Sequence, residues 1–77
     1  MSITPLPPPG RARAAQAVLV AKKRLGLRWE KIAETVGRST EWTTSALLGQ
    51  QSLTRAQAEA AGSLLDLDAD VVDALTL

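Results

Sequence analysis

The sequence predicts an all-α domain of five short helices, on three observations. Apolar residues recur at i, i+3/i+4 and i+7 in five separate stretches, and nowhere do apolar and polar residues alternate as in a half-buried strand. Glycines and capping residues fall between those stretches, at Gly26, Gly37, Gly49, Thr54 and Asp68. The hydrophobic residues, 45% of the chain, are mainly Ala, Leu, Val and Ile, with Trp29 and Trp42 the only aromatics, a mix suited to closely packed helices. A chain of 77 residues is one domain. At this length about 60–65% of the unfolded surface is buried, so the core is thin.

All four prolines lie before residue 11, at Pro5, Pro7, Pro8 and Pro9. Proline lacks a backbone donor and biases its predecessor toward extended conformations. Residues 1–10 are therefore read as a flexible, polyproline-like arm, and 11–77 as the helical domain. The arm is read as a tail rather than as a ligand for a proline-recognition domain.

The first helix is expected over Arg11–Leu25. Ala14, Ala15, Val18, Leu19, Lys22 and Leu25 follow the helical spacing. Lys22, Lys23 and Arg24 fall in its last turn, where cations favour the negative end of the helix dipole. The second helix is expected over Arg28–Val36, with Ile32, Ala33 and Val36 inward and Trp29 as a lid over the core. Arg28 occupies the N-cap position, where Ser, Thr, Asp or Asn serves better. Gly37 turns the chain, and Ser39 or Thr40 caps a third helix with Glu41 in its first turn. Trp42 and Leu47 are expected inward, with Thr43 or Ala46 completing the contact, and Gly49 ends the helix. The fourth helix opens on Thr54-Arg55-Ala56-Gln57, a T-x-x-Q capping box. Leu53, Ala60, Ala61, Leu64 and Leu65 form its expected apolar face. Gly62 within it costs roughly 1 kcal/mol relative to alanine unless a neighbouring helix packs close against it, and that approach is the expectation. Asp68 is expected to cap a fifth helix, with Asp70 in its first turn and Val71, Val72 and Leu75 inward.

The stretch from Trp29 to Gln51 thus has the grammar of a helix-turn-helix, a shape that can read DNA or serve as a plain helical module. In the reading mode the second of the pair enters the major groove. The residues that would carry such binding are Arg38, Ser39, Thr40, Thr44 and Ser45. They suit it poorly. Among the outward positions of the third helix itself, Ser39, Thr40, Glu41, Thr44, Ser45 and Leu48, none is Arg, Lys, Asn or Gln, the side chains that make bidentate base contacts. Glu41 would repel phosphate. A net charge of +1 gives no bulk attraction to nucleic acid or to an anionic membrane. DNA binding is therefore the second reading.

Catalysis finds no set of groups. Without cysteine or histidine there is no thiolate nucleophile, disulfide, imidazole base or His-ligated metal. The acids Asp66, Asp68, Asp70 and Asp73 superficially resemble a calcium loop. The glycine of loop position 6 is replaced by Val71, and the acid of position 12 by Leu77. Helix capping explains them better. Arg55, Glu59 and Ser63 lie at i, i+4 and i+8 on one helix face, which a solvated surface explains. No catalytic, cofactor-binding or metal-binding residue is assigned, and no cofactor is expected. No apolar run approaches the ~20 residues that span a bilayer. The N-terminal charges follow the apolar part, the reverse of a secretory signal. A cytoplasmic location is the expectation.

One segment is more specific. Thr43 to Leu53, T-T-S-A-L-L-G-Q-Q-S-L, resembles the passage from the third to the fourth helix of cyanase (cyanate hydratase). The similarity extends upstream through A-K-K-R-L-G-L and W-E-K-I-A-E-T-V-G, and downstream through Ala56–Leu67 and D-A-D-V-V, covering Ala12 to Leu75. Departures are Arg28 at the N-cap, Arg38 where an apolar residue is usual, and the proline-rich arm. The resemblance implies a five-helix, lambda-repressor-like bundle that forms the N-terminal domain of a two-domain parent. It implies that the parent is a homo-oligomer of its own subunits. The parent converts cyanate and bicarbonate to carbon dioxide and carbamate, which decays to ammonia, without metal or organic cofactor. The catalytic Arg, Glu and Ser belong to the parent's C-terminal domain and match no position here. Leu77 is expected to mark a cut in a longer protein, and this chain an accessory and oligomerisation piece that is inactive alone.

Overall fold

A computed structural model describes residues 9–77. They form α1 (Pro9–Leu25), α2 (Trp29–Val36), α3 (Thr40–Leu47), α4 (Arg55–Leu65) and α5 (Ala69–Leu75), with no strand among the described residues. The fold class is all-α, with five helices. Of the proposed arm, residues 1–8 lie outside the described residues. Helix α1 begins at Pro9 rather than Arg11. Proline suits a first helical position, where its missing N–H would have no intrahelical partner in any case.

Helices α2 and α3 pack together, α4 lies against α2, and α5 lies against both α4 and α1. Val18, Ile32, Leu47, Leu65 and Leu75 are fully buried at the centre, one large aliphatic from each helix. The turn between α2 and α3 depends on Gly37, whose φ of 86° is left-handed and whose N–H donates to Ala33 O at 2.8 Å. Ser39 then caps α3, its hydroxyl accepting from Trp42 N at 3.1 Å. Ile32, Ala33 and Val36 are buried as their spacing predicts. Arg28 holds the N-cap position of α2 with extended backbone and makes no side-chain cap.

The capping box of α4 is complete. Gln57 N donates to the Thr54 hydroxyl at 3.1 Å, and Thr54 N donates to Gln57 Oε1 at 2.9 Å. Gly62 is where α5 comes closest: a β-carbon placed there would lie 2.5 Å from Val72 Cγ2. Asp66 ends α4 in the left-handed region at φ 54°, a conformation that aspartate tolerates better than most residues. The connection from α3 to α4 is tied to the end of α5, with Leu53 N donating to Leu75 O at 3.0 Å and the Ser52 hydroxyl donating to Leu77 O.

Several inward faces differ from the sequence reading. Helix α1 buries Arg11, Ala14, Val18 and Ala21, while Leu19 and Leu25 are exposed and Ala15 and Lys22 are half-buried. The stripe at 11, 14, 18 and 21 keeps the helical period but is rotated about the axis. It puts small side chains where α5 packs. In α3, Thr43, Ala46 and Leu47 are buried and Trp42 is only half-buried. The helix stops at Leu47, two residues before Gly49. Helix α4 buries Ala58, Ala61, Gly62 and Leu65, leaving Ala60 and Leu64 half-buried. Of the three inward residues expected in α5, Leu75 is fully buried, and Val71 and Val72 are half-buried. Asp68 stands at the N-cap of α5, yet its side chain makes no capping hydrogen bond.

Candidate functional site

The five residues of the DNA reading gather at the start of α3. Arg38 and Ser39 are exposed; Thr40, Thr44 and Ser45 are half-buried. Their polar groups are largely engaged inside the fold. The Ser39 hydroxyl caps the helix, and the Thr44 hydroxyl donates to Thr40 O at 2.8 Å. Arg38 lies over the indole of Trp42, 4.1 Å from guanidinium carbon to ring centroid. That ring's Nε1–H donates to Gln51 Oε1 at 3.0 Å. Arg38, Trp42 and Gln51 therefore form one ordered surface stack. An arginine held on an aromatic face gains cation–π attraction, which fixes the plane in which its N–H donors can act. Glu41 is exposed beside it. Lys22 stands over Trp29 in the same way, 5.2 Å from the ring centroid.

Arg55, Glu59 and Ser63 share an exposed face of α4, as their spacing requires. Arg55 does not turn toward Ser63. Its Nη1 pairs with Asp73 Oδ1 on α5 at 2.8 Å, and eight residues of helix separate the arginine from the serine by about 12 Å. The acids Asp66 to Asp73 do not converge either. Asp66 ends α4, Asp68 and Asp70 begin α5, and Asp73 holds Arg55. Among the described residues no group of three or more acids is placed to share a metal ion.

The most unusual polar residue is one to which the sequence reading assigned no role. Arg11 is 3% exposed. Its Nη2 donates to Ala46 O and to Gln51 O, each at 2.6 Å, and its Nη1 donates to Ala74 O at 3.2 Å. Ala46 and Ala74 lie in the last turns of α3 and α5, whose carbonyl ends carry the negative pole of the helix dipole. The guanidinium thus sits between two negative helix ends and a loop carbonyl. Burial pulls its pKa below the usual arginine value, but arginine keeps its proton in proteins. The planar fork of donors explains the residue type, because a lysine ammonium could not reach three fixed carbonyls in one plane. A sequence signal existed: Arg11 lies three and seven residues before Ala14 and Val18, on the buried stripe. Its charge masked that position.

The fold and these surfaces define a class of small five-helix domain in which the polar groups of the α3 face serve capping and stacking. The family follows from comparison with known proteins. Residues 11–77 match the family model described as cyanate hydratase, N-terminal. Cyanate hydratase of Thiobacillus denitrificans is 54% identical over 65 residues, covering 84% of this chain and 44% of that protein. Cyanate hydratase of Ralstonia pickettii is 44% identical over 62 residues, covering 80% and 42%, and that of Polynucleobacter asymbioticus is 47% identical over 57 residues, covering 74% and 39%. The chain belongs to the cyanate hydratase N-terminal domain family. It spans less than half the length of the curated relatives it matches. Among the described residues no helix is long and apolar enough to cross a membrane.

Proposed function

We propose that this chain is the accessory and assembly domain of a cyanate hydratase-type enzyme and does no chemistry itself. The parent reaction would be bicarbonate-dependent breakdown of cyanate to carbon dioxide and carbamate, the latter decaying to ammonia. The family match over residues 11–77 carries the reading. It is supported by the use of the candidate polar groups in structure: Arg11 in a carbonyl clasp, Arg55 on Asp73, and Ser39 in a cap. The partners in this reading are other subunits of the same protein, and cyanate and bicarbonate only within the intact parent. No cofactor or membrane takes part, and the location is cytoplasmic.

Two measurements test it. The purified chain, given cyanate and bicarbonate, is expected to release no ammonia above the uncatalysed rate; turnover that scales with protein concentration would refute the reading. A mobility shift on mixed DNA tests the competing use of α2 and α3. Only weak retardation, if any, is expected. Tight retardation that weakens steeply with salt would favour a DNA-binding protein, because counterion release makes phosphate contacts salt-dependent.

A further inference from the structure

The surface between α1 and α5 carries two depressions that run into one another through Asp68 and Val71. The helices are antiparallel here: Arg13 and Ala14 of α1 face Asp70 and Ala74 of α5 at one end, while Val20 and Arg24 face Asp66 and Leu67 at the other. The floor is apolar and the rims have opposite charge. Every charged residue of α1 is basic, and every charged residue from Asp66 to the end of the described chain is acidic. Arg13, Arg24, Asp66, Asp68 and Asp70 are exposed. None of them makes an ion pair among the described residues, whose two pairs are Lys31–Glu34 and Arg55–Asp73. Val20, on the basic rim, is 63% exposed.

We infer that this groove is the docking surface for a second copy of the chain, related by a two-fold axis running along the groove. The symmetry follows from the charges. A two-fold axis in the plane of contact and parallel to the groove places each basic α1 over the partner's acidic α5. An axis across the groove would stack α1 on α1 and α5 on α5, setting like charges together. The parallel axis also preserves position along the groove. Arg13 then meets the partner subunit's Asp70, and Arg24, about 16 Å further along α1, meets the partner subunit's Asp66. Val20 descends onto the partner subunit's Leu67. An isologous contact needs a patch complementary to itself, and an apolar floor between rims of opposite sign meets that need. The inference rests on the assembly reading above and deepens it by locating the contact.

The test is sedimentation equilibrium of the 77-residue chain with two charge-reversed variants, Arg13→Glu/Arg24→Glu and Asp66→Lys/Asp70→Lys. Wild type is expected to form a dimer that weakens by roughly tenfold or more at about 0.5 M salt, where screening extends to within a few ångströms. Each variant alone is expected to be monomeric where wild type is dimeric, because its rims carry one sign. Their equimolar mixture is expected to restore the dimer, since each reversed rim then faces its opposite. Circular dichroism checks that both variants stay helical. Val20→Glu, which leaves the reversed positions untouched, is expected to abolish dimerisation as well. A dimer indifferent to all these changes would overturn the groove while leaving the assembly reading in place. A wild-type chain that stays monomeric throughout would overturn the groove and remove the support for self-assembly by this domain.

Discussion

Replacing Arg11 with methionine tests the clasp directly. The substitution keeps an apolar stem of similar length and removes three hydrogen bonds from a charged donor, two at 2.6 Å and one at 3.2 Å. Their loss is uneven. Ala46 O keeps the Gly49 N–H at 3.1 Å, and Ala74 O keeps the Leu77 N–H at 3.2 Å. Gln51 O has no other donor among the described residues. One orphaned carbonyl costs about 1–3 kcal/mol, and each of the two weakened carbonyls about 0.5–1 kcal/mol. Relief of guanidinium desolvation offsets part of this. The net expectation is a loss of about 2–4 kcal/mol, against a total of roughly 4–11 kcal/mol for a domain of this size. The melting temperature should fall by about 10–25 °C. Urea unfolding followed by tryptophan fluorescence measures it, with Arg11→Lys as the second variant. Lysine keeps the charge but loses the fork, so the expected order of stability is arginine, lysine, methionine. A methionine variant within about 0.5 kcal/mol of wild type, at an unchanged slope against urea, would refute the clasp. A methionine variant more stable than wild type would show that desolvation outweighs the hydrogen bonds.

Three further substitutions probe packing and caps. Gly62→Ala gains about 1 kcal/mol of helix propensity but drives a methyl to 2.5 Å from Val72 Cγ2. A valine in a helix has little rotamer freedom with which to yield, and overpacking costs about 1–3 kcal/mol, so a net loss of about 1 kcal/mol is expected on thermal unfolding; a rise in melting temperature would contradict the close approach. Thr43 is fully buried and its hydroxyl has no hydrogen-bond partner among the described residues, so Thr43→Val should leave stability unchanged or raise it by about 1 kcal/mol; a clear loss would mean that the hydroxyl is satisfied. Thr54→Ala removes half of the capping box and should cost about 1 kcal/mol, read as the urea midpoint, with no loss counting against the cap.

The parts of the fold legible in the sequence are those where local chemistry decides. Gly37 turns the chain because the turn needs a positive φ, and T-x-x-Q caps α4 because both ends of that motif lie within one helical turn. The close approach at Gly62 was legible because glycine inside a helix otherwise only costs stability. Helix α1 resisted because alanine contributes little to a periodic signal. Three of its four large aliphatics, Leu19, Val20 and Leu25, face outward while Val18 is buried, so the most visible pattern pointed largely to the wrong side. Trp42 misled in the same way. Its size argued for full burial, whereas it is half-buried, packing one side against the core while its indole carries Arg38 and donates to Gln51 on the other. At the candidate site, the cap made by Ser39 could be read from position. The bond from Thr44 to Thr40 O could not be told from an outward hydroxyl, and the clasp needed three carbonyls from distant parts of the chain.

That distance has a kinetic consequence. The Arg11 contacts join residues 35, 40 and 63 positions apart, whereas α2 and α3 meet across a turn of a few residues. Loop closure makes the local pair the earlier to form, and a guanidinium can enter the clasp only when α3, the loop at Gln51 and α5 already stand in place. The clasp therefore belongs after the folding transition state and acts on opening. Its removal should raise the unfolding rate by nearly the whole equilibrium effect and leave refolding almost unchanged. A stopped-flow chevron of Arg11→Met in which the refolding arm falls instead would place the clasp in the nucleus. On this account a single side chain near the start of the domain sets how long the assembled bundle stays closed.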